Sequence, residues 1–362
     1  MGVYVMKLSW KKSIATAVTA LVLASPLAPL PAKAEAAGLL EGVIAGVAMG
    51  SYVNSYYGKI NDENQAEMLK QTQEQTGVYH DAAANARLQN IVDRLTATGL
   101  FEHEFAVYAN PDESFNAFCT IGRVISVNKG ALDILDDDEL ASVLAHEMQH
   151  GEDNHCVKGA SKSVALSALA SFALDDSDVL QYLMGAVTVN YINNEMFTMS
   201  QEKNADKYAF KYVTAAGFNP GGPASAMAKL RSEVGDLWVE GLTRAINPNN
   251  HPKTTDRIEK FGKQLYEYSD KHVKVEEEKT VKVNGVEIIT PVATQTYLTE
   301  QRAYQIAGNI ARLYANEAKP TAQAFADGNV VYVGDQYIMT SLGSDMSADA
   351  VAASLNQAFA KD

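Results

Sequence analysis

The motif HEMQH at residues 146–150 is the feature that most constrains how this chain folds. On an α-helix, four residues advance the chain by about 400°, so His146 and His150 lie on one face and can reach one ion. Glu147 then lies one step around the helix, beside the ion rather than on it. A hydrolytic zinc site has this arrangement, with a carboxylate next to the metal-bound water. The motif therefore predicts a helix with His146 and His150 as metal ligands and Glu147 as general base.

A catalytic zinc needs a third protein ligand, and the sequence offers two candidates. His155 would give a three-histidine site, but its spacing from His150 does not fit that pattern and directs it away from the ligand face. Glu202 lies in a second predicted helix, with Asp206 four residues later on the same face. We therefore predict Glu202 as the third ligand. Asp206 is predicted to hydrogen-bond the outer nitrogen of a ligand histidine.

Helices and short strands are predicted around the motif. Alternating runs at 104–110 and 123–130 predict strands. The acidic residues at 136–139 predict the start of the motif helix, where carboxylates bind free amide groups. Two apolar stretches within 161–191 are too short to cross a membrane and predict buried helices. Residues 199–230 predict two helices joined by a Gly-Pro turn.

The composition changes in the last quarter of the chain. Residues 269–282 are strongly charged and predict a domain boundary. Beyond them, Asn284-Gly285 predicts a β-hairpin, followed by an amphipathic helix, two or three strands and a helix capped by Ser347. We find no internal repeat. The chain is predicted as α+β, with a mainly helical domain at 35–268 that contains the HEMQH motif and a small accessory α+β domain of unknown role at 275–362.

The first 34 residues predict a secretory signal peptide, because lysines precede an apolar run that ends in small residues. An uncleaved membrane anchor is disfavoured, since Pro26, Pro29 and Pro31 interrupt the run. Without this segment, 26 basic residues stand against 44 acidic ones, a formal charge of −18. This charge argues against nucleic acid as a partner, and we predict an exported protein of the periplasm or cell envelope. Peripheral membrane association stays open, and no pattern indicates an oligomeric state.

The chain has two cysteines, Cys119 and Cys156. An exported protein permits a disulfide between them, but two buried free thiols fit the sequence equally well. The sequence does not fix the distance between their Cα atoms, so both alternatives stay open.

Four ordered stretches resemble the gluzincin metallopeptidase family that includes the CAAX prenyl endopeptidases, the HtpX heat-shock proteases and periplasmic quality-control peptidases. They are NAFCTIGRVISVNKGALDIL, ELASVLAHEMQHGEDNH, SQEKNADKYAFKYVTAAGFNPGGPASAMAKL and NNHPKTTDRI, and the similarity spans residues 85–262. The resemblance implies a zincin-type fold and one zinc ion. It implies His146, His150 and Glu202 as ligands, Glu147 as general base, and Asp206 behind a ligand.

The resemblance also implies roles beyond the ligand set. His251 would lie near the oxyanion or gate the metal, where a donor imidazole stabilises a tetrahedral intermediate. A loop histidine without such a role is the alternative. Arg257 would support the same loop. The implied substrate strand is an edge strand that precedes the motif helix and pairs with an extended peptide. Its residues are Val124, Ile125, Ser126 and Val127.

Taken together, these patterns predict a zinc metalloendopeptidase that hydrolyses peptide bonds through a zinc-activated water. Its predicted substrates are unfolded or misassembled envelope proteins. A chaperone or binding module with a shut or idle peptidase site is the alternative, and His251 on the open zinc position would produce it. A structural metal site is disfavoured, because Glu147 adjoins the ligands.

Overall fold

The computed structural model describes residues 51, 54–55, 57–159, 161, 197–235, 253–316 and 320–361. Three predictions lie outside the described residues: the signal peptide, nearly all of the two apolar stretches within 161–191, and the role of His251. The described part of the chain mixes α and β structure, with long helices and three small sheets. None of its helices combines the length and apolar character needed to span a bilayer.

The elements are numbered in chain order. The helices are α1 (Gln65–Thr76), α2 (Ala82–Thr96), α3 (Lys129–Ile134), α4 (Asp137–Glu152), α5 (Met199–Ala215), α6 (Gly222–Val234), α7 (Thr254–Tyr268), α8 (Thr299–Asn316) and α9 (Ala348–Phe359). The strands are β1 (Ala106–Asn110), β2 (Ala117–Thr120), β3 (Val124–Asn128), β4 (Val273–Glu276), β5 (Thr280–Val283), β6 (Val286–Ile289), β7 (Ala324–Asp327), β8 (Val330–Val333) and β9 (Gln336–Thr340). The predicted motif helix, the helix pair after it and the hairpin at Asn284-Gly285 are confirmed.

Reciprocal hydrogen bonds fix the starts of the two helices that form the site. The N–H of Glu139 donates to the Asp136 side chain, and the N–H of Asp136 donates to the Glu139 side chain. Thr198 and Gln201 exchange the same pair of bonds at the start of α5. Such boxes satisfy amide groups that have no partner within the helix. The predicted acidic start of α4 is therefore confirmed.

The first sheet has the strand order β1-β3-β2, so β3 lies in its centre. β3 pairs in parallel with β1 and antiparallel with β2. The prediction of an edge strand at Val124, Ile125, Ser126 and Val127 is therefore wrong, because both sides of that strand carry ladder hydrogen bonds. The sequence analysis does not predict β2, which is short and lacks alternation. A turn with Gly122 at φ 84° folds β2 back onto β3.

One hydrophobic cluster surrounds the first sheet and the inner face of α4. Leu140, Leu144 and Met148 are fully buried there. A second cluster joins α6 and α7 to the C-terminal sheets. The charged stretch at 269–282 contains β4, β5 and the turn between them, so it is not a linker. Lys274, Glu276 and Lys282 lie in these strands, in which Val273, Val281 and Val283 are buried. The predicted accessory region thus shares a core with the helices before it, and the division into domains stays a prediction.

The C-terminal region contains one structural unit twice. A three-stranded antiparallel sheet, β4-β5-β6, precedes α8, and a second one, β7-β8-β9, precedes α9. Each sheet has a register shift at the same place, between residues 281 and 282 and between residues 331 and 332. Buried residues recur at the same spacing: Val281, Val283, Ile288 and Ile289 in the first unit, and Val331, Val333, Ile338 and Met339 in the second. The expectation of no internal repeat is wrong, because the repeat lies in the buried positions while the outward residues differ.

Candidate metal centre

Side chains from α4 and α5 converge in a cleft. The Nε2 atoms of His146 and His150 lie 3.2 Å apart. The Glu202 carboxylate lies 3.4 Å from Nε2 of His146 and 3.3 Å from Nε2 of His150. All three residues are buried, and their ligand atoms lie within 4.8 Å of one another. Two imidazole nitrogens and one carboxylate are the donors of a catalytic zinc that keeps an open position, so these residues fit a zinc ion.

The surroundings of the His146 ring stabilise a positive charge at the candidate metal centre. Burial alone would lower the pKa of His146, but the hydrogen bonds to Asp206 and Glu202 outweigh burial and raise this pKa to about 10. A cation that binds through Nε2 must displace the proton held there. Zinc affinity is therefore expected to fall as the pH falls.

Asp206 and Arg257 lie behind His146. Oδ1 of Asp206 is 3.0 Å from Nδ1 of His146. Arg257, from α7, donates to the same carboxylate, with Nε 3.0 Å from Oδ2. Burial would raise the pKa of Asp206, but Arg257 and His146 hold it below the ordinary carboxyl value. An ionised Asp206 can accept the Nδ1 proton of His146, which directs Nε2 of that ring toward the ligand cluster.

His155 lies behind the second histidine, where the sequence analysis does not place it. Its Nδ1 is 3.2 Å from Nδ1 of His150, and its Nε2 is 3.5 Å from the Asp153 carboxylate. Burial and the nearby His150 lower the pKa of His155 to about 4, so its ring is neutral and can accept the Nδ1 proton of His150. His155 is not among the converging ligands, as its spacing from His150 predicts. Its contact with Nδ1 of His150 does not follow from that spacing, because α4 ends before His155 and Asn154, at φ 53°, redirects the chain.

The ring of Phe197 packs against His150. The ring centroids are 3.8 Å apart and the planes are inclined by 25°. Phe197 lies just before α5, and a single aromatic residue ahead of a helix carries no sequence signal for such a contact. The stacked ring limits the orientations of His150, which leaves its Nε2 near Glu202.

Replacing His155 with alanine removes the acceptor for the Nδ1 proton of His150. Loss of such a partner costs about 10–100-fold in metal affinity, and we expect a decrease of that size. Zinc affinity is measured by competition with a chromogenic chelator. His80→Ala is the matched control, since His80 is exposed and remote from the cleft, and it should bind zinc like the unmodified protein. Equal affinities in the two variants would contradict the role of His155.

Glu147 lies beside the histidines and faces β2. Its Oε2 accepts a hydrogen bond from the N–H of Cys119 at 2.9 Å. Burial raises the pKa of Glu147 above the ordinary carboxyl value, although His146 and His150 oppose the shift. A buried carboxylate of raised pKa is suited to take a proton from a water molecule. The sequence identifies Glu147 but not the Cys119 N–H, which belongs to the unpredicted strand.

The two cysteines are buried and form no disulfide. Sγ of Cys156 is 3.4 Å from the carbonyl oxygen of Cys119. A side-chain hydrogen bond with Cys156, together with burial, raises the pKa of the Cys119 thiol well above the ordinary value. Of the two alternatives left open by the sequence, the structure has the buried thiols without a disulfide.

Gly151 directly follows His150, and no side chain fits there. A Cβ atom would lie 2.8 Å from Cε1 of Phe105 and 3.2 Å from Sγ of Cys119. We expect Gly151→Ala to lower the free energy of unfolding by about 1–3 kcal/mol, measured by urea titration. Gly58→Ala is the control, because Gly58 is also helical and a Cβ there meets nothing within 4 Å. The control should be as stable or slightly more stable. Similar losses in both variants would refute steric exclusion at Gly151.

The converging side chains line a cleft with an empty volume of ≈ 650 Å³. Its wall includes the apolar residues Phe115, Val143, Met227, Leu230 and Phe261. Asn116 and Ala117, at the start of β2, also line it. The candidate ligands therefore lie in a cleft with an apolar wall, next to the start of β2.

Known proteins share the part of the chain that builds this cleft. The profile described as Peptidase family M48 matches residues 82–264. Metalloprotease LoiP of Escherichia coli K12 is 28% identical over 43% of this chain and 60% of its own length. Mitochondrial metalloendopeptidase OMA1 of Saccharomyces cerevisiae is 27% identical over 46% of this chain and 50% of its own. A protease HtpX homolog of Salinibacter ruber is 32% identical over 33% of this chain and 47% of its own.

This chain spans about half the length of the curated relatives it matches. The matched region runs from α2 into α7 and includes both helices that bring the candidate ligands together. It covers half of the chain, and the resemblance inferred from the four motifs is confirmed. The chain belongs to Peptidase family M48.

Proposed function

We propose that this protein is a zinc metalloendopeptidase that cleaves unfolded or misassembled proteins. The convergence of His146, His150 and Glu202 beside Glu147 carries the proposal. These three residues would hold zinc, which supplies a water of lowered pKa and polarises the scissile carbonyl. Glu147 takes a proton from the attacking water and passes it to the departing amine. Family membership and the donor set support this activity.

Two neighbouring side chains orient the ligands in this proposal. Asp206 accepts the Nδ1 proton of His146, and His155 accepts that of His150, so both rings present Nε2 to the metal. Arg257 keeps Asp206 ionised by its direct hydrogen bonds. His251 lies outside the described residues, and its proposed place near the oxyanion rests on the sequence resemblance.

We infer that β2 takes the substrate-binding role that the sequence analysis gave to β3. β2 is an edge strand of the described sheet, and it enters the cleft. The Cys119 N–H points to Glu147, so that side of β2 faces the catalytic residues. Backbone groups of alternate residues point to the same side of a strand, so those of Ala117 face the cleft as well. An extended peptide laid along this side would pass the Glu147 carboxylate.

The proposed substrates are proteins of the cell envelope. The features of residues 1–34 support export, and the acidic composition argues against nucleic acid as a partner. We propose residues 35–268 as the peptidase domain and 275–362 as an accessory α+β module. Because the second hydrophobic cluster spans both parts, this module is held against the peptidase helices.

The preference for unfolded substrates is tested with one protein in two states. Native ribonuclease A and the same protein reduced and alkylated are incubated with the enzyme, and fragments are quantified by mass spectrometry. We expect the unfolded form to be cleaved at least roughly tenfold faster, because pairing with β2 needs an extended segment. Chelation should stop the cleavage, and zinc should restore it. Equal rates on both forms, or cleavage that survives chelation, would overturn the proposal.

A further inference from the structure

The second C-terminal unit exposes a row of aromatic side chains, which we call the aromatic row: Phe325, Tyr332 and Tyr337. The three residues are cross-strand neighbours on the outer face of β7, β8 and β9. Phe325 and Tyr337 are 49% and 46% exposed. The rings of Phe325 and Tyr332 stack with centroids 5.7 Å apart, and those of Tyr332 and Tyr337 lie 6.3 Å apart at 78°.

The first C-terminal unit shows that the fold does not require aromatic residues in this row. Its equivalent row on β4, β5 and β6 consists of Lys274, Lys282 and Glu287, which pair across strands in the same register. The buried residues of the two units correspond, whereas the outer rows are charged in one and aromatic in the other. Large exposed apolar side chains cost solubility and invite association. Their presence in one unit alone therefore indicates a binding function rather than a structural need.

The residues around the aromatic row narrow the class of partner. The charged residues within 320–360 are Asp327, Asp335, Asp345 and Asp349, of which Asp345 is buried and neutralised by Arg302. Asp327 lies two residues after Phe325 on the same strand, so both face outward. An acidic aromatic surface repels nucleic acid and anionic lipid, and it attracts lysine and arginine, which also bind the faces of aromatic rings. The ring of Tyr337 is inclined by 78° to that of Tyr332, so the three rings do not form the flat surface on which a sugar ring would stack.

The aromatic row is attached to the catalytic helix through buried contacts. Arg302 of α8 donates to the carbonyl oxygen of Thr340, at the end of β9, and pairs with Asp345 at 2.7 Å. The neighbouring Gln301 donates to the Glu139 carboxylate of α4 at 2.6 Å. A chain bound at the aromatic row is therefore held by the same packed body that carries His146 and His150.

We propose that the aromatic row binds an extended segment of an unfolded polypeptide that carries apolar and basic side chains. The proposal rests on the proposed function, since it gives that peptidase a second contact with its substrates outside the cleft. Apolar residues pack on the rings, and lysine or arginine meets the rings and Asp327. Unfolded chains expose their large apolar side chains next to basic ones, whereas folding buries most large apolar side chains.

The test exchanges the aromatic row for its natural counterpart in the first unit. The full chain carries Glu147→Gln, so that the probe stays intact, and the exchange variant adds Phe325→Lys, Tyr332→Lys and Tyr337→Glu. The probe is fluorescent lysozyme, reduced and carbamidomethylated, which is basic and unfolded. We expect its affinity to fall about tenfold or more in the exchange variant. Reduced, carbamidomethylated α-lactalbumin, an acidic unfolded chain, should bind the parent protein more weakly than lysozyme does.

A matched control changes the other row: Lys274→Gln, Lys282→Gln and Glu287→Gln should leave lysozyme binding unchanged. In a catalytically competent background, the exchange variant should cleave a short peptide that fills only the cleft as fast as the unmodified enzyme. Failure of the unmodified enzyme to cleave that peptide refutes the proposed function and leaves the binding result interpretable.

Equal lysozyme affinity in the exchange variant and its parent overturns this inference. Equal affinity for the acidic and basic chains also overturns it. The inference also fails if the exchange abolishes binding to anionic vesicles or chito-oligosaccharides but leaves lysozyme binding intact. If thermal unfolding shows that the exchange variant is not folded, the single variants Phe325→Ser and Tyr337→Ser decide by the same criteria, because both side chains are exposed.

Discussion

Glu147→Gln is expected to reduce kcat/KM for a peptide substrate by roughly 10²–10⁴-fold, the range that positioned general bases contribute. The substitution changes almost no volume, and the Gln amide oxygen can still accept the hydrogen bond from the Cys119 N–H. It removes a carboxylate that lies beside the candidate ligands and is placed to take a proton from water. The zinc content should stay at that of the unmodified enzyme, because Glu147 is not among the converging ligands.

The control for Glu147→Gln is Asp137→Asn, which also replaces a carboxylate with an amide on α4 but at an exposed position. That control should retain the activity of the unmodified enzyme. Zinc is quantified by atomic absorption in all three proteins. If Glu147→Gln retains full activity with full zinc content, another residue supplies the base and the proposed role of Glu147 is wrong.

The sequence is sufficient to predict those parts of the site that depend on spacing within one helix. His146 and His150 lie on one turn-to-turn stripe of α4, and Glu202 and Asp206 do so on α5. For each pair, helical periodicity fixes the relative direction of the side chains. That α5 lies against α4 required the family resemblance, because nothing in the spacing of one helix specifies its neighbour.

The groups that the sequence analysis missed reach the site through irregular backbone or tertiary contact. His155 follows the end of α4, so helical spacing excludes it as a ligand but does not predict its contact with Nδ1 of His150, which depends on the positive φ of Asn154. The Cys119 N–H is a backbone donor on a short strand, and such donors have no residue signature. Phe197 reaches His150 only because the chain before α5 passes the end of α4.

The elements that depend on helix capping and on short turn motifs could be predicted from the sequence. The order of the strands in the sheets could not. The acidic start of α4 and the Asn284-Gly285 hairpin follow from short-range chemistry. The central position of β3 depends on β2, which has no periodic pattern. The duplication of the C-terminal unit is hard to recognise in the sequence, because the buried positions and the strand register repeat while the outward residues differ.

Glu202→Gln is expected to lower zinc affinity by more than about 100-fold, because losing a ligand should cost more than losing a partner behind a ligand. Activity should fall with zinc occupancy. The neutral amide fits the same space, so a loss of zinc reports on charge and coordination rather than on packing. Zinc affinity is measured by chelator competition, and thermal unfolding with and without EDTA gives a second readout. Zinc should raise the Tm of the unmodified protein and leave that of the variant nearly unchanged.

The choice between Glu202 and Asp206 as the third ligand rests on their surroundings. Glu202 lies within 3.4 Å of the Nε2 atoms of both histidines. Asp206 lies at Nδ1 of His146, where the guanidinium of Arg257 already neutralises it and would repel a metal ion. Asp206→Asn should therefore lower zinc affinity by only about 10–100-fold. Lys203→Gln, a change at an exposed position of the same helix, should leave zinc affinity unchanged. A larger loss from Asp206→Asn than from Glu202→Gln would reverse the two roles and move the cation to the other face of His146.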